Sequence, residues 1–115
     1  MNLKYEGLLK KGVLEILVLQ LLSQKPMYGY QLIMELKELS HEMFTLKEGT
    51  LYPILYRLED DGMLVSEWSQ PSGKSVSKKY YKITDEGQET LIDLKKLWSR
   101  FSNEVDMILG ENKHG

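Results

Sequence analysis

The sequence contains no cysteine and only two histidines among its 115 residues. The absence of cysteine excludes disulfide frameworks, thiolate zinc sites, iron–sulfur clusters and cysteine nucleophiles. His114 is the second-last residue, so His41 is the only imidazole within the body of the chain. One imidazole does not make a histidine triad or a histidine-rich metal cluster. We therefore expect neither an enzyme nor a protein that needs a cofactor.

The sequence also lacks an apolar run long enough to cross a bilayer. The longest apolar stretch, Val13 to Leu22, is interrupted by Glu15, whereas a membrane-spanning helix needs about 20 apolar residues. Three lysines precede this stretch, as in a signal peptide, but no small-residue cleavage site follows it. We expect a cytoplasmic protein with no membrane partner.

Excess charge of one sign is absent too, since the formal net charge is −2. This value argues against a uniformly basic nucleic-acid binder, but the acidic excess lies in residues 85–115. Between Ser69 and Thr84 there is no acid, and there are four lysines: Lys74, Lys78, Lys79 and Lys82. A local basic segment of this kind is what a polyanion would contact.

Composition and length are those of one globular domain, with 42% hydrophobic and 28% charged residues. Hydrophobic periodicity and turn residues predict the order helix, helix, helix, strand, strand, long helix. The predicted elements are Gly12–Gln24, Tyr28–Ser40, a third helix ending near Asp61, Met63–Trp68, Ser77–Ile83 and Asp85–Leu109.

Local signals refine the ends of these helices. Thr45 and Glu48 have the spacing of a capping box, Gly62 suits the left-handed position after a helix, and Thr84 suits an N-cap. Pro53 conflicts with a third helix that begins at Leu46, because the ring would lie beyond the first turn. That helix therefore begins nearer Gly49 or carries a small kink.

This order of elements predicts an α+β fold, a winged helix-turn-helix with three helices and a two-stranded β-hairpin wing, followed by a long C-terminal dimerisation helix. We assign residues 1–84 to the DNA-binding domain and 85–115 to the dimerisation helix, both within one compact unit. In such proteins the third helix enters the major groove and the wing touches the flanking backbone. Lys74, Lys78 and Lys79 of the wing suit phosphate contacts. Alternatively, these lysines only protect an exposed sheet edge.

The wing also contains Gly73-Lys74-Ser75, which resembles the end of a phosphate-binding P-loop. That motif needs a glycine where this chain has Trp68, and it needs a helix after the serine, where a strand is predicted. We reject a nucleotide-binding loop here.

The terminal helix carries a strict heptad-like seam. Its apolar residues fall at alternating spacings of three and four: Leu91, Leu94, Trp98, Phe101, Val105 and Ile108. The seam could pack on the first helix as ordinary core, but a helix of this length would overhang so small a domain. We favour a second copy of the chain as its partner.

Several segments together resemble the PadR family of transcriptional regulators. The resemblance covers almost the whole chain and rests on these segments: Tyr28-Gly29-Tyr30, Gly49-Thr50-Leu51-Tyr52-Pro53 with Leu55, Arg57, Leu58, Glu59 and Gly62, and Lys79-Tyr80-Tyr81 with Thr84 and Gly87. The short C-terminal part resembles the small subfamily with one C-terminal helix, and Trp98-Ser99-Arg100 is similar to the multidrug-responsive repressors within it.

This resemblance implies a homodimeric repressor of a palindromic operator in double-stranded DNA. It implies DNA contacts from Lys47, Thr50 and Tyr52 at the start of the recognition helix, from Tyr28 and Gln31 of the preceding helix, and from Lys74, Ser75, Lys78 and Lys79 of the wing. It also implies that Trp98 lies at the dimer centre, where some relatives bind flat aromatic drugs. The indole could equally fill the interface as packing.

Two other classes of function stay open at the level of sequence. The winged-helix scaffold and long helix could bind another protein without reading DNA. A small-molecule sensor or an enzyme without a DNA role is the weakest alternative, because no reactive constellation of side chains is found.

Overall fold

A computed structural model describes residues 3–71 and 73–110, and this part of the chain contains five α-helices and three β-strands. They are α1 (Leu3–Lys11), α2 (Leu14–Leu22), β1 (Met27–Tyr28), α3 (Gly29–Leu39), α4 (Glu48–Asp60), β2 (Leu64–Trp68), β3 (Lys79–Ile83) and α5 (Asp85–Leu109). No helix in the described ranges is both long and apolar enough to cross a membrane.

Two of these elements, α1 and β1, were not expected from the sequence. Helix α1 exposes Leu8 and Leu9, so it has no inward apolar stripe that would predict a packed helix. Strand β1 has only two residues, which is too short for an alternating pattern. The remaining six elements follow the predicted order, and the winged-helix fold is confirmed.

The three strands form one antiparallel sheet in the order β1-β3-β2, so the expected two-stranded hairpin carries a third strand. Met27 pairs with Tyr81, and β2 pairs with β3 from Leu64 opposite Ile83 to Trp68 opposite Lys79. Because side chains alternate along a strand, this register directs Leu64, Tyr81 and Ile83 into the core.

Helix α2 is the centre of the hydrophobic core, as its nearly continuous apolar sequence predicts. Val18 and Leu19 are fully buried, and α2 packs against α3, α5 and β3. The core comprises Leu14, Val18, Leu19, Leu21, Leu22, Met27, Leu32, Leu36, Leu51, Ile54, Leu55, Leu58, Leu64, Tyr81, Ile83 and Leu91.

Helix α4 begins at Glu48, close to Gly49, with Pro53 inside it. The expected capping box is wrong. Lys47 is the N-cap residue and no side chain caps the helix, while the Thr45 hydroxyl donates to the carbonyl of Glu42 at 2.8 Å. Thr45 lies two residues before the N-cap, so it cannot reach the free amides of the first turn.

The end of α4 follows the prediction at Gly62, whose φ of 79° is left-handed. The Gly62 N–H donates to the Glu59 carbonyl at 3.0 Å, and the Met63 N–H donates to the Leu58 carbonyl at 2.9 Å. These two bonds make a Schellman motif, which turns the chain sharply from α4 into β2.

The connection between α3 and α4 is a tight, hydrogen-bonded turn. His41 and Glu42 have φ values of 51° and 69°, a left-handed conformation that is unfavourable for residues with a side chain. The Ser40 hydroxyl donates to the Leu36 carbonyl at 2.6 Å and accepts from the Phe44 N–H at 2.8 Å. These bonds fix the path of the chain from the end of α3 to Phe44.

Candidate nucleic-acid interface

Helix α4 presents one side to the core and the other to solvent. Its inward residues are buried: Leu51, Ile54, Leu55 and Leu58. Gly49, Pro53 and Tyr56, at spacings of four and three, lie on the opposite side and are exposed. Lys47 and Thr50, two of the expected DNA contacts, are also exposed, at the start of the helix. The arrangement leaves the first two turns of α4 free to enter a groove.

Tyr52, another expected DNA contact, is half-buried against the start of α3. A Cβ atom on Gly29 would lie 2.3 Å from the Tyr52 hydroxyl oxygen, so the absence of a side chain at Gly29 makes room for this phenol. The two segments that the sequence singled out, around Gly29 and around Tyr52, are therefore packing partners. The contact positions α4 on α3.

The outer face of the sheet brings Tyr28 and Lys78 together. The Lys78 Nζ lies 4.4 Å from the centroid of the Tyr28 ring, and the Tyr80 ring meets the Tyr28 ring edge-on with centroids 5.4 Å apart. Gln31 lies half-buried in the first turn of α3. A cation above an aromatic face is attracted to its electrons, so the Lys78 charge is held beside the N-terminus of α3.

Lys79 joins the wing to α4. Its Nζ lies 5.6 Å from the centroid of the Tyr56 ring and 5.4 Å from that of Tyr81. Lys74 and Ser75 differ, because both are exposed near the tip of the wing, next to the left-handed turn at Gly73. The wing thus has two solvent-exposed side chains near its tip, and at its base the ammonium groups of Lys78 and Lys79 lie against aromatic rings.

Tyr81 lies beneath this surface, fully buried. Its hydroxyl has no hydrogen-bond partner within residues 3–71 and 73–110. Burial raises the pKa of Tyr81 to about 12, and the neighbouring Tyr56, Glu59 and Tyr52 contribute to the raised pKa by opposing a negative charge. Tyr81 therefore stays neutral and supports the rings above it.

Sequence reasoning missed two features of this surface, Tyr56 and the partner of Arg57. The helical spacing from Gly49 through Pro53 would have placed Tyr56 on the exposed side. The Arg57 guanidinium donates to the Glu15 carboxylate of α2. The two residues are 42 positions apart in the sequence, so no local pattern reveals their contact.

The seam residues of α5 are buried near the start of the helix and exposed towards its C-terminal end. Leu91 is buried and Leu94 half-buried, whereas Trp98 is 46% exposed, Phe101 58% and Ile108 85%. The Trp98 and Phe101 rings stack with centroids 6.2 Å apart. The end of the seam that is nearer the C-terminus is thus a large exposed apolar surface, the usual sign of an interface.

A helix that leaves its outward face free, beside an aromatic and basic wing, defines the class of winged-helix DNA-binding proteins. The chain matches the transcriptional regulator PadR-like family over residues 18–93, more than half of its length. The protein belongs to this family, and it is a DNA-binding regulator of transcription rather than an enzyme.

Individual relatives support the same family assignment. The transcriptional regulator Rv3488 of Mycobacterium tuberculosis is 36% identical over 78 residues, which cover 68% of each protein. The negative transcriptional regulator PadR of Bacillus subtilis is 31% identical over 81 residues, which cover 70% of this chain and 44% of that protein. The solved structure of a PadR family transcriptional regulator from Eggerthella lenta has a TM-score of 0.75 and 39% identity, and the match covers 88% of this chain and 85% of that one.

Proposed function

We propose that the protein is a homodimeric repressor that binds a palindromic operator. One observation carries the proposal. The Lys79 ammonium lies 5.6 Å from the Tyr56 ring, so the outward face of α4 and the basic wing form one continuous surface. A duplex that receives α4 in its major groove meets the wing on the adjacent backbone.

Each expected contact has a role on this surface. Lys47 and Thr50 meet the groove at the start of α4, and the half-buried Tyr52 supports the helix beside them. Tyr28 and Gln31 approach the backbone from α3. Lys74, Ser75, Lys78 and Lys79 contact phosphates from the wing.

Dimerisation through α5 supports the palindrome. A two-fold symmetric dimer carries two recognition helices and therefore favours two symmetric half-sites, one helical turn apart. Repression is supported by similarity to the negative regulator of B. subtilis. Such a regulator acts where the chromosome is, which we propose to be the cytoplasm.

The proposal also includes release of the protein from its operator by a planar aromatic or cationic small molecule. Trp98 is half-exposed on the seam, next to the parallel ring of Phe101. In a symmetric dimer two such indoles lie near the axis, where they could stack on a flat ligand.

The experiment is a titration of duplex binding at several salt concentrations, after selection of the preferred duplex from a random pool. Lys74→Ala and Lys78→Ala should each weaken binding to all duplexes and lower the salt slope by about 1 for each phosphate that the protein no longer neutralises. Lys96→Ala is the control, because Lys96 is exposed on the side of α5 opposite the seam. If both wing variants keep the wild-type affinity and salt slope, the wing does not contact the DNA backbone.

The competing function, a module that binds another protein through the same scaffold, predicts a different result. No duplex would then be enriched from the pool, and the wing lysines would affect only weak, sequence-independent binding.

A further inference from the structure

Helix α4 offers an unusual set of side chains to the major groove. Bases are most often distinguished there by arginine or lysine on guanine and by asparagine or glutamine on adenine. Within Glu48–Asp60, Arg57 is the sole member of this group. Its guanidinium is paired with Glu15 of α2, so Arg57 would have to leave this partner to reach a base edge.

The outward stripe instead presents apolar surface. Pro53 and Tyr56 follow one another on this side of the helix, and Tyr56 is 50% exposed. In the major groove the one apolar group on a base is the methyl group of thymine, which is read by apolar contact. The Pro53 ring and the face of the Tyr56 ring are chemically matched to that methyl group.

The Tyr56 ring is also held in place. The Tyr52 ring lies beside it, with centroids 5.9 Å apart, and the Lys79 ammonium lies 5.6 Å from it on the wing side. A side chain that is fixed before binding loses little rotamer freedom when the complex forms. Tyr56 is thus prepared for contact, whereas a long flexible side chain would have to be ordered.

We infer that Tyr56, together with Pro53, is a base-contacting residue that reads thymine methyl groups in each half of the operator. This inference rests on the proposed function, since it names what α4 recognises once the protein is on DNA. It adds a specificity-determining residue to the contacts expected from the sequence.

The test replaces thymine by deoxyuridine, one position at a time, in the duplex selected by the protein. Uracil lacks only the methyl group, so pairing and hydrogen-bonding groups are unchanged. At the positions read by Tyr56 and Pro53 the wild-type protein should bind about fourfold more weakly for each methyl group removed, the equivalent of one buried methylene.

Variants then assign the effect to a side chain. Tyr56→Ala should bind thymine and uracil equally at one position in each half-site, while Tyr56→Phe keeps the ring and should keep the preference. Pro53→Ala should reduce the preference at a neighbouring position. Tyr30→Ala removes an exposed tyrosine of α3 and Lys74→Ala a wing charge, and both should leave the thymine-to-uracil ratio as in the wild type.

The possible failures are distinguishable. If no duplex is selected, the proposed function itself fails. If a duplex is selected and every uracil substitution is neutral, or if Tyr56→Ala keeps the full thymine preference, Tyr56 does not read methyl groups although the protein binds DNA. Circular dichroism of each variant establishes that it is folded before affinities are compared.

Discussion

At the scale of single residues, two glycines are required by their neighbours rather than by their own backbone angles. Tyr52 occupies the space beside Gly29, and the Met63 carbonyl occupies the space beside Gly87, where an added Cβ would lie 2.3 Å from the oxygen. The two contacts differ in kind. A tyrosine side chain can turn away, whereas the Met63 carbonyl is fixed because it accepts the Thr84 N–H at 3.0 Å.

Gly87→Ala should therefore destabilise the fold by about 2 to 3 kcal/mol, in the range of overpacked sites. The matched control is Gly7→Ala in α1, where nothing lies within 4 Å of the added Cβ. That change should stabilise its helix by about 0.5 to 1 kcal/mol, because alanine is the better helix former. Urea unfolding measures both values, and equal stability of the two variants would contradict the packing argument.

Tyr81 links stability to alkaline pH. Its pKa is raised from 10.0 to about 12 by burial, so above pH 10 the unfolded chain loses this proton while the folded chain keeps it. The raised pKa therefore contributes stability that is complete below pH 10 and is lost as the pH rises towards 12.

Tyr81→Phe should flatten the decline of unfolding free energy between pH 10 and pH 12. It should cost little near neutrality, because the buried hydroxyl has no hydrogen-bond partner among the described residues. Tyr30→Phe is the control, since Tyr30 is 58% exposed and its replacement should leave the decline as in the wild type. A decline in Tyr81→Phe as steep as in the wild type would refute this assignment.

At the scale of elements, one side chain fixes the junction between the wing and α5. The Thr84 hydroxyl accepts from the Gly87 N–H at 3.0 Å and donates to the Gly62 carbonyl at 2.7 Å. One side chain therefore caps α5 and fastens it to the turn after α4.

Thr84→Ala should lower the free energy of unfolding by about 2 kcal/mol, roughly 1 for the helix cap and 1 for the second hydrogen bond. Thr84→Ser keeps the hydroxyl and should retain most of this stability. Thermal unfolding of both variants makes the comparison, and a serine variant as unstable as the alanine variant would point to the methyl group instead.

The sequence predicts these elements unequally, for physical reasons. Helix α5 has the predicted bounds because Thr84 caps it and its seam is regular. The predicted cap of α4 is misplaced because Thr45 has the right spacing but its hydroxyl bonds locally to Glu42. The Gly29–Tyr52 contact joins distant segments, and such contacts leave no periodic trace. In the interface, the exposure of Lys47 and Thr50 could be expected from the sequence. The exposure of Tyr56 follows only once it is known which side of α4 faces the core.

At the scale of the whole molecule, α5 decides the shape. The described part of the chain measures 57 × 33 × 22 Å, and the 25 residues of α5 alone span about 37 Å. The exposed half of the seam lies on the part of α5 beyond Leu94. A second copy that covers Trp98, Phe101, Val105 and Ile108 would remove most of this apolar surface from water.

We therefore predict a dimer in dilute solution. Leu94→Glu and Phe101→Glu together should give a monomer or an unfolded chain in sedimentation, because each places a charge in the apolar seam. Phe101→Glu alone changes an exposed residue and should give a folded monomer, whereas Lys96→Glu, on the opposite side of α5, should stay dimeric. A wild-type monomer at micromolar concentration would overturn the prediction.

Ligand response at Trp98 is tested in a Trp68→Phe background, which leaves one indole. Flat aromatic cations should quench Trp98 emission and weaken operator binding over the same concentration range, because a change in the dimer alters the spacing of the recognition helices. A cation over an indole adds about 0.5 to 2 kcal/mol. Absence of quenching by all such compounds would leave Trp98 as interface packing.

The direct passage from β3 into α5 at Thr84 constrains how this protein can change in evolution. Each residue of a helix advances the chain by about 1.5 Å and rotates it by about 100°. With no flexible linker to absorb that rotation, insertion of one residue between Leu91 and Leu94 would turn the exposed seam away from its partner's direction. Only insertions that restore the phase, such as about seven residues, would keep the proposed pairing, and these would displace the two recognition helices by roughly 10 Å. Operator spacing should accordingly evolve in discrete steps rather than continuously.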